Sequence, residues 1–277
     1  MTRVLVAAAL AGASALVCAA EVAQAPAPPG TPAANKQLVI DFFAFQGGRQ
    51  ERVDRFMVDD YVQHNPRFLK MDTFTGARGR QAWVAAGPEA QRRGNLQLVA
   101  LGGIPLRDPI ILMAEGDLGH AVYRGLLPDP DRPGERYEAF AFEAFRFRDG
   151  KFTEHWDQVK LAKGWMEPRP PAQAGARGAA PAGNPAPVPA PPEPRPGCAA
   201  SPASIAANKQ LVTSFSQARR RGFTRELVIA ECEFVSVVWK RSLPDPDEPS
   251  RTWEAFGFDT FRIRDGRLAE HWDEATR

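Results

Sequence analysis

The stretch EAFAFEAFRFRDGKFTEHWDQ, residues 138–158, returns as EAFGFDTFRIRDGRLAEHWDE, residues 254–274, so the chain must build one sheet pattern twice. AANKQLV at 33–39 returns 173 residues on, at 206–212, but LPDPD at 127–131 returns only 116 residues on, at 243–247. The second copy therefore lacks about 57 residues from its middle. Between the copies, residues 168–204 are mostly Pro, Ala and Gly, a composition that cannot bury a core and is expected to act as an extended spacer. Residues 21–32 read as a shorter disordered segment of the same kind. The expected organisation is a complete domain at 33–167 and a truncated repeat at 205–277.

The first twenty residues read as a signal peptide: Arg3, an apolar run to Val17, then small residues with cleavage after Ala20. An exported protein follows, periplasmic or secreted, with no membrane attachment once the signal is removed. A lipoprotein acylated at Cys18 is disfavoured because Val17 stands where a small residue is expected. Cys198 and Cys232 remain, enough to pair in an oxidising compartment but not a disulfide framework. A net charge of +2 gives no basic excess, so composition offers nothing to a nucleic acid.

In the complete copy, apolar residues at Leu38, Val39, Phe42, Phe43 and Phe45 predict a helix over 33–46, and QERVDRFM a short second one. DDYVQHNPRF reads as turn-rich because Pro66 disfavours helix at Asn65. A third, interrupted helix is expected over 77–94. From residue 95 the pattern turns to strands: NLQLVAL, IILMAEG, LGHAVYRGL, RYEAFAFEAFRFR and KFTEHWDQVK. Asp149–Gly150 marks a hairpin between the last two. Phe140 and Phe142 share one phase of their strand and Phe145 and Phe147 the other, which predicts a bulge near Glu143–Ala144. The fold class is α+β: helices packed on a curled, mixed or antiparallel sheet with a concave face, and a degenerate partial repeat.

Alternation on the last strand puts Phe152, Glu154 and Trp156 on one face and Thr153, His155 and Asp157 on the other. His155 and Asp157 thus act together or not at all. Either they are a solvated edge while Phe152 and Trp156 form core, or they point into the pocket while Trp156 covers the outer face. A carboxylate in an apolar pocket has its pKa raised, which suits a general base near neutral pH. YVQHNP, residues 61–66, is a second polar cluster, readable as a capped turn or as part of a site.

DDYVQHNP, then AEGDLGHAVYR, then FRFRDGKFTEHWDQ, in that order over about residues 33–163, resembles the SnoaL-like polyketide cyclase family of the nuclear transport factor 2-like superfamily. The resemblance implies a cone-shaped barrel with a deep apolar pocket, and cofactor-free aldol-type cyclisation or condensation by removal of a proton α to a carbonyl. It further implies Asp157 as general base, with His155 and His64 orienting substrate or donating to the enolate oxygen. Asn65, Tyr61, Trp156 and Phe142 are the implied substrate contacts, for a small carbonyl or polyketide-like ligand. His120 falls about two positions before the histidine of relatives, with Val122 at that place.

No phosphate-binding glycine loop and no Gly-x-Ser-x-Gly elbow appears. The resemblance implies no cofactor, and no metal is expected because four scattered histidines give no ligand-spaced set, the alternative being a facial triad of His64, His155 and Asp157. The rival reading is a non-catalytic module that binds an apolar ligand or dimerises through its sheet, which leaves a homodimer open. The repeat has nothing matching DDYVQHNP, so His271 and Asp273 lack partners. It is expected to dock on the first copy, to complete a partner chain, or to be partly ordered.

Overall fold

The computed structural model describes residues 27–64, 79–81, 84, 106, 108–129, 132–157, 200–220, 222–244, 250 and 252–273. The signal segment, Asn65, nearly all of the expected third helix, the strand expected at 95–101 and the linker up to residue 199 lie outside them.

Helix α1 (Pro32–Ala44) starts where Thr31 accepts a hydrogen bond from the Ala34 amide, with proline at the first helical position. Helix α2 (Arg49–Phe56) follows after the glycine pair. Strands β1 (Met57–Gln63), β2 (Ile111–Glu115), β3 (Leu118–Pro128), β4 (Arg136–Arg148) and β5 (Lys151–Asp157) form one mixed sheet in the order β1-β5-β4-β3-β2, with β1 parallel to β5 and the rest antiparallel. The segment read as turn-rich is therefore a strand up to Gln63. Met57, Tyr61 and Gln63 bury one phase of it, while Asp59 and Asp60 stay exposed. The hairpin at Asp149–Gly150 has both residues at positive φ (53° and 73°), as an Asp-Gly two-residue turn requires.

The truncated copy folds as helix α3 (Pro202–Arg219) and strands β6 (Thr224–Glu231), β7 (Phe234–Pro244), β8 (Thr252–Arg264) and β9 (Arg267–Asp273), a four-stranded antiparallel sheet in sequential order. Helix α3 begins at Pro202, inside the stretch read as linker, with Ser201 as its cap. Among the described residues this sheet has no counterpart of β1.

The two sheets lie face to face. Ile111, Met113, Val122, Phe142, Ala144 and Trp156 of the first pack with Leu227, Ile229, Val238, Phe256 and Phe258 of the second in one apolar layer. On the far side of the first sheet, Val39, Phe42, Phe56, Tyr61, Phe145, Phe147 and Phe152 form a second layer under α1 and α2. Val212, Trp239, Phe261 and Ile263 form a third beneath α3. The chain is thus layered helices, sheet, sheet, helix.

This layering corrects the expected bulge at Glu143–Ala144. The β3–β4 register runs unbroken from Leu118 opposite Arg146 to Pro128 opposite Arg136. The phenylalanines change phase because both faces of β4 are buried: Phe140 and Phe142 face the second sheet, Phe145 and Phe147 the helices. The irregularity lies on β5 instead. Glu154 pairs with Arg146 and Phe152 with Phe147, so Thr153 is the extra residue. Phe152 consequently shares a face with His155, not with Trp156.

Candidate functional site

Past the Thr153 bulge, His155 and Asp157 point toward the helix side of the sheet, where Phe145 stacks on the His155 ring at 4.5 Å. Glu143 pairs with Asp157 across the β4–β5 ladder and projects to the same face. His155 Nε2 lies 2.6 Å from Glu143 Oε2 and 2.7 Å from Asp157 Oδ1. From the parallel neighbour β1, the Gln63 amide donates to Asp157 Oδ2 at 2.9 Å, and Gln63 Oε1 accepts from the Tyr61 hydroxyl at 2.5 Å. Glu143, His155, Asp157, Gln63 and Tyr61 are all buried.

Two carboxyls around one buried imidazole set each other's protons. Burial pushes the Glu143 carboxyl up to about 8, and the Asp157 charge pushes the same way against the opposing pull of His155. Burial pulls the His155 imidazole down, but the charge and hydrogen bond of Asp157, then Glu143, raise it to about 10. Both directions favour a proton on the His155 imidazole and on the Glu143 carboxyl near neutral pH. Burial, with Asp157 and Glu143 nearby, raises the Tyr61 phenol well above its ordinary value, so Tyr61 stays a donor.

Both shifts are upward, so the folded state holds protons that the unfolded chain has released. Glu143 contributes stability below its unfolded pKa that is lost as pH rises toward about 8, and His155 does the same as pH rises from about 6.5 toward 10. Urea unfolding at pH 5, 7 and 9 is expected to show stability falling with pH, by at most about 1.4 kcal/mol per unit for each proton. Glu143→Gln is expected to flatten the part below pH 8 relative to wild type. An unchanged profile in that variant would remove Glu143 as its source.

Of the residues the sequence put in the site, the structure brings together Asp157, His155 and Tyr61. His64 is placed elsewhere. It is one residue past Gln63 and so on the other face, where its Nε2 meets Glu154 at 3.0 Å and its ring stacks on Trp156 at 4.6 Å. Trp156 and Phe142 also face the second sheet, within the inter-sheet core. The expected grouping of His64, Trp156 and Phe142 with Asp157 gives way to strict alternation: their phase belongs to the inter-sheet layer. Glu143 and Gln63 were missed. Both were legible, as polar residues in phase with Phe145 and with Tyr61.

The second copy repeats the cluster as Asp259, His271 and Asp273 but closes it. Arg220, from the end of α3, bonds both Asp259 oxygens at 3.0 and 3.1 Å, and the indole of Trp239, at the position of Tyr123, donates to Oδ2 at 2.9 Å. Burial pushes the Asp259 carboxyl up, but hydrogen bonds from His271 and Arg220 outweigh it and hold it below its ordinary value. Asp259 is a fixed anion in a structural ion pair, whereas Glu143 is poised near neutrality. Arg220→Met is expected to cost about 1–3 kcal/mol, as for lost hydrogen bonds to a charged group, and to leave any activity unchanged, which denaturation alongside an activity assay checks.

Among the described residues, Glu143, His155 and Asp157 also offer three ligand atoms within 4.8 Å of one another, a set that can hold a divalent cation once the imidazole gives up its proton.

No protein-family model and no curated protein matches the sequence. Solved structures do. A nuclear transport factor 2-like protein of unknown function from Burkholderia pseudomallei K96243 is 16% identical with a TM-score of 0.31, over 47% of this chain and 93% of its own. A proposed SnoaL-like polyketide cyclase from Jannaschia sp. CCS1 is 17% identical with a TM-score of 0.30, over 48% and 90%. A proposed polyketide cyclase from Streptomyces antibioticus is 18% identical with a TM-score of 0.29, over 45% and 87%. At these values the likeness carries no function across, and the chemistry is read from this chain's own side chains.

Proposed function

We propose that the complete copy is an acid/base catalyst that removes a proton α to the carbonyl of a small or medium, largely apolar substrate, in an aldol-type condensation, cyclisation or proton transfer. One observation carries this reading: two buried carboxyls, Glu143 and Asp157, meet the same His155 ring nitrogen at 2.6 and 2.7 Å, where burial and the neighbouring charge push Glu143 upward. Asp157 accepts the α-proton, held in place by Gln63 and His155. Glu143 offers its proton to the developing enolate oxygen, and His155 stays protonated, its Nε2 hydrogen-bonded to Glu143 and ion-paired with Asp157. The motif resemblance and the apolar surroundings, with Phe145 and Phe152 on the same face, support a carbonyl compound as substrate.

The test is deuterium exchange at the α-carbon of a panel of ketones, followed by NMR with the full chain. Wild type is expected to accelerate exchange for at least one member, and Glu143→Gln, whose amide can still donate a hydrogen bond but not its proton, to lose about a hundredfold of it, the low end of a general acid's contribution. Exchange at the buffer rate across the panel would refute the reading. Activity that disappears on chelation and returns with a divalent cation would transfer the same three residues to metal chemistry.

Export belongs to the same proposal. The N-terminal pattern supports it, as does Cys232, which is disulfide-bonded and takes a left-handed conformation (φ 61°) in the β6–β7 turn, where the first copy has Gly116. N-terminal sequencing of protein recovered outside the cytoplasm is expected to begin at residue 21. A start at Met1 would oppose it.

A further inference from the structure

The contacts between the two copies come in matched pairs. Lys36 of α1 meets Glu231 at 2.5 Å, and its counterpart Lys209 of α3 meets Glu115, the counterpart of Glu231, at 2.6 Å. The second oxygen of Glu231 accepts the Ala114 amide at 2.9 Å, and that of Glu115 accepts the Ala230 amide at 2.9 Å. On the axis between them, Phe142 stacks against its own counterpart Phe258, centroids 5.8 Å apart and planes 17° from parallel. Residue i touching j while the counterpart of j touches that of i is the signature of a two-fold, self-complementary interface, built here within one chain.

One group breaks the symmetry. His120, wholly buried, sits beside that pair as the third corner of a triangle of near-parallel rings, 6.2 Å from Phe142 and 6.0 Å from Phe258, and its Nε2 meets Thr260 Oγ1 at 2.9 Å; Thr260 Oγ1 in turn meets Ser236 Oγ at 3.1 Å. Ser236 stands at the counterpart position of His120, and Thr260 at that of Ala144. A second complete copy laid on this face would present Ala144 to His120, leaving its buried ring nitrogen without that hydroxyl. It would also bring a second imidazole where Ser236 now lies.

From this we infer that residues 200–273 act as a built-in partner subunit, filling the sheet face through which the complete copy would otherwise pair with a second chain, and that the His120–Thr260–Ser236 group selects the repeat over another complete copy. The partner is a second copy of this chain's own domain, covalently supplied and altered to fit, with Ser236 and Thr260 the polar changes. The ion pairs and the phenylalanine stack set the geometry, while the hydroxyls set the choice. Among the described residues the exposed large hydrophobics are Ile40 and Phe215, both on helices away from this layer, which leaves the inter-sheet face as the apolar pairing surface.

The test keeps the full chain and places a protease site within residues 168–199. Light scattering after size-exclusion is expected to give the mass of one chain before cleavage, and the same mass, as a one-to-one complex of the two pieces, after it. Thr260→Val in the cleaved protein is expected to raise the dissociation constant between the pieces roughly ten- to a hundredfold, by stranding buried polar atoms of His120 and Ser236. A two-chain mass for the uncut protein, or pieces that separate while each remains folded, would overturn the partner role. A dissociation constant unmoved by Thr260→Val would overturn the selecting role of the hydroxyls. None of these outcomes depends on catalysis.

Discussion

Asp157→Asn is expected to slow α-proton exchange by roughly 10²–10⁴-fold, the usual contribution of a positioned general base. The side chain changes little in shape, and the Gln63 amide can still donate to the remaining carbonyl oxygen. What disappears is the negative charge that balances the His155 imidazolium and accepts the substrate proton. The same substitution removes the charge that helps raise both Glu143 and His155, so each should return toward its ordinary value. NMR titration of the His155 ring would see this directly: its proton should be lost at lower pH in the variant. Loss of exchange together with that shift identifies Asp157 as a member of the coupled cluster. Loss of exchange with an unmoved histidine would place the base elsewhere, and retained exchange would end the case for Asp157.

The expected pairing of His155 with Asp157 held because two residues on one strand differ by one full pleat, which no tertiary contact can undo without a bulge between them. Phe152 was misplaced by the same logic, since the extra residue Thr153 falls between it and His155, and a threonine in a strand carries no local mark of a bulge. The hairpin turns were legible because Asp-Gly has few other uses, and the α+β class because helical periodicity gives way to strands. The second sheet's position was hardest to foresee. Phe140 and Phe142 announced a buried outer face, yet periodicity alone cannot separate a kinked strand with one buried face from a straight one with two. Only the repeat, laid on that face, explains them. His64 went astray for a related reason: in YVQHNP the histidine drew attention, while the less reactive Gln63 carried the inward phase alongside Tyr61.

If the two sheets share one core, damage to that layer must be felt on both sides of it. Phe258→Ala removes a fully buried ring stacked against Phe142 and His120, and is expected to cost about 3–5 kcal/mol. For an ordered mass of this size, that lowers the melting temperature by roughly 10 °C. The repeat alone has little to fall back on, because among the described residues its other apolar layer is covered by helix α3 alone and its sheet has four strands. The complete copy would lose the ring stacked on Phe142 and His120, in the same apolar layer as Trp156, on whose strand His155 and Asp157 are mounted. Hydrogen exchange read by mass spectrometry should therefore show β4 and β5 losing protection together with β8 in the variant, at matched temperature. Protection lost from β8 and β9 alone, with β4 and β5 as slow to exchange as in wild type, would mean that the copies are separately stable and merely touching. Loss on both sides makes the truncated repeat a structural requirement of the site that it no longer duplicates.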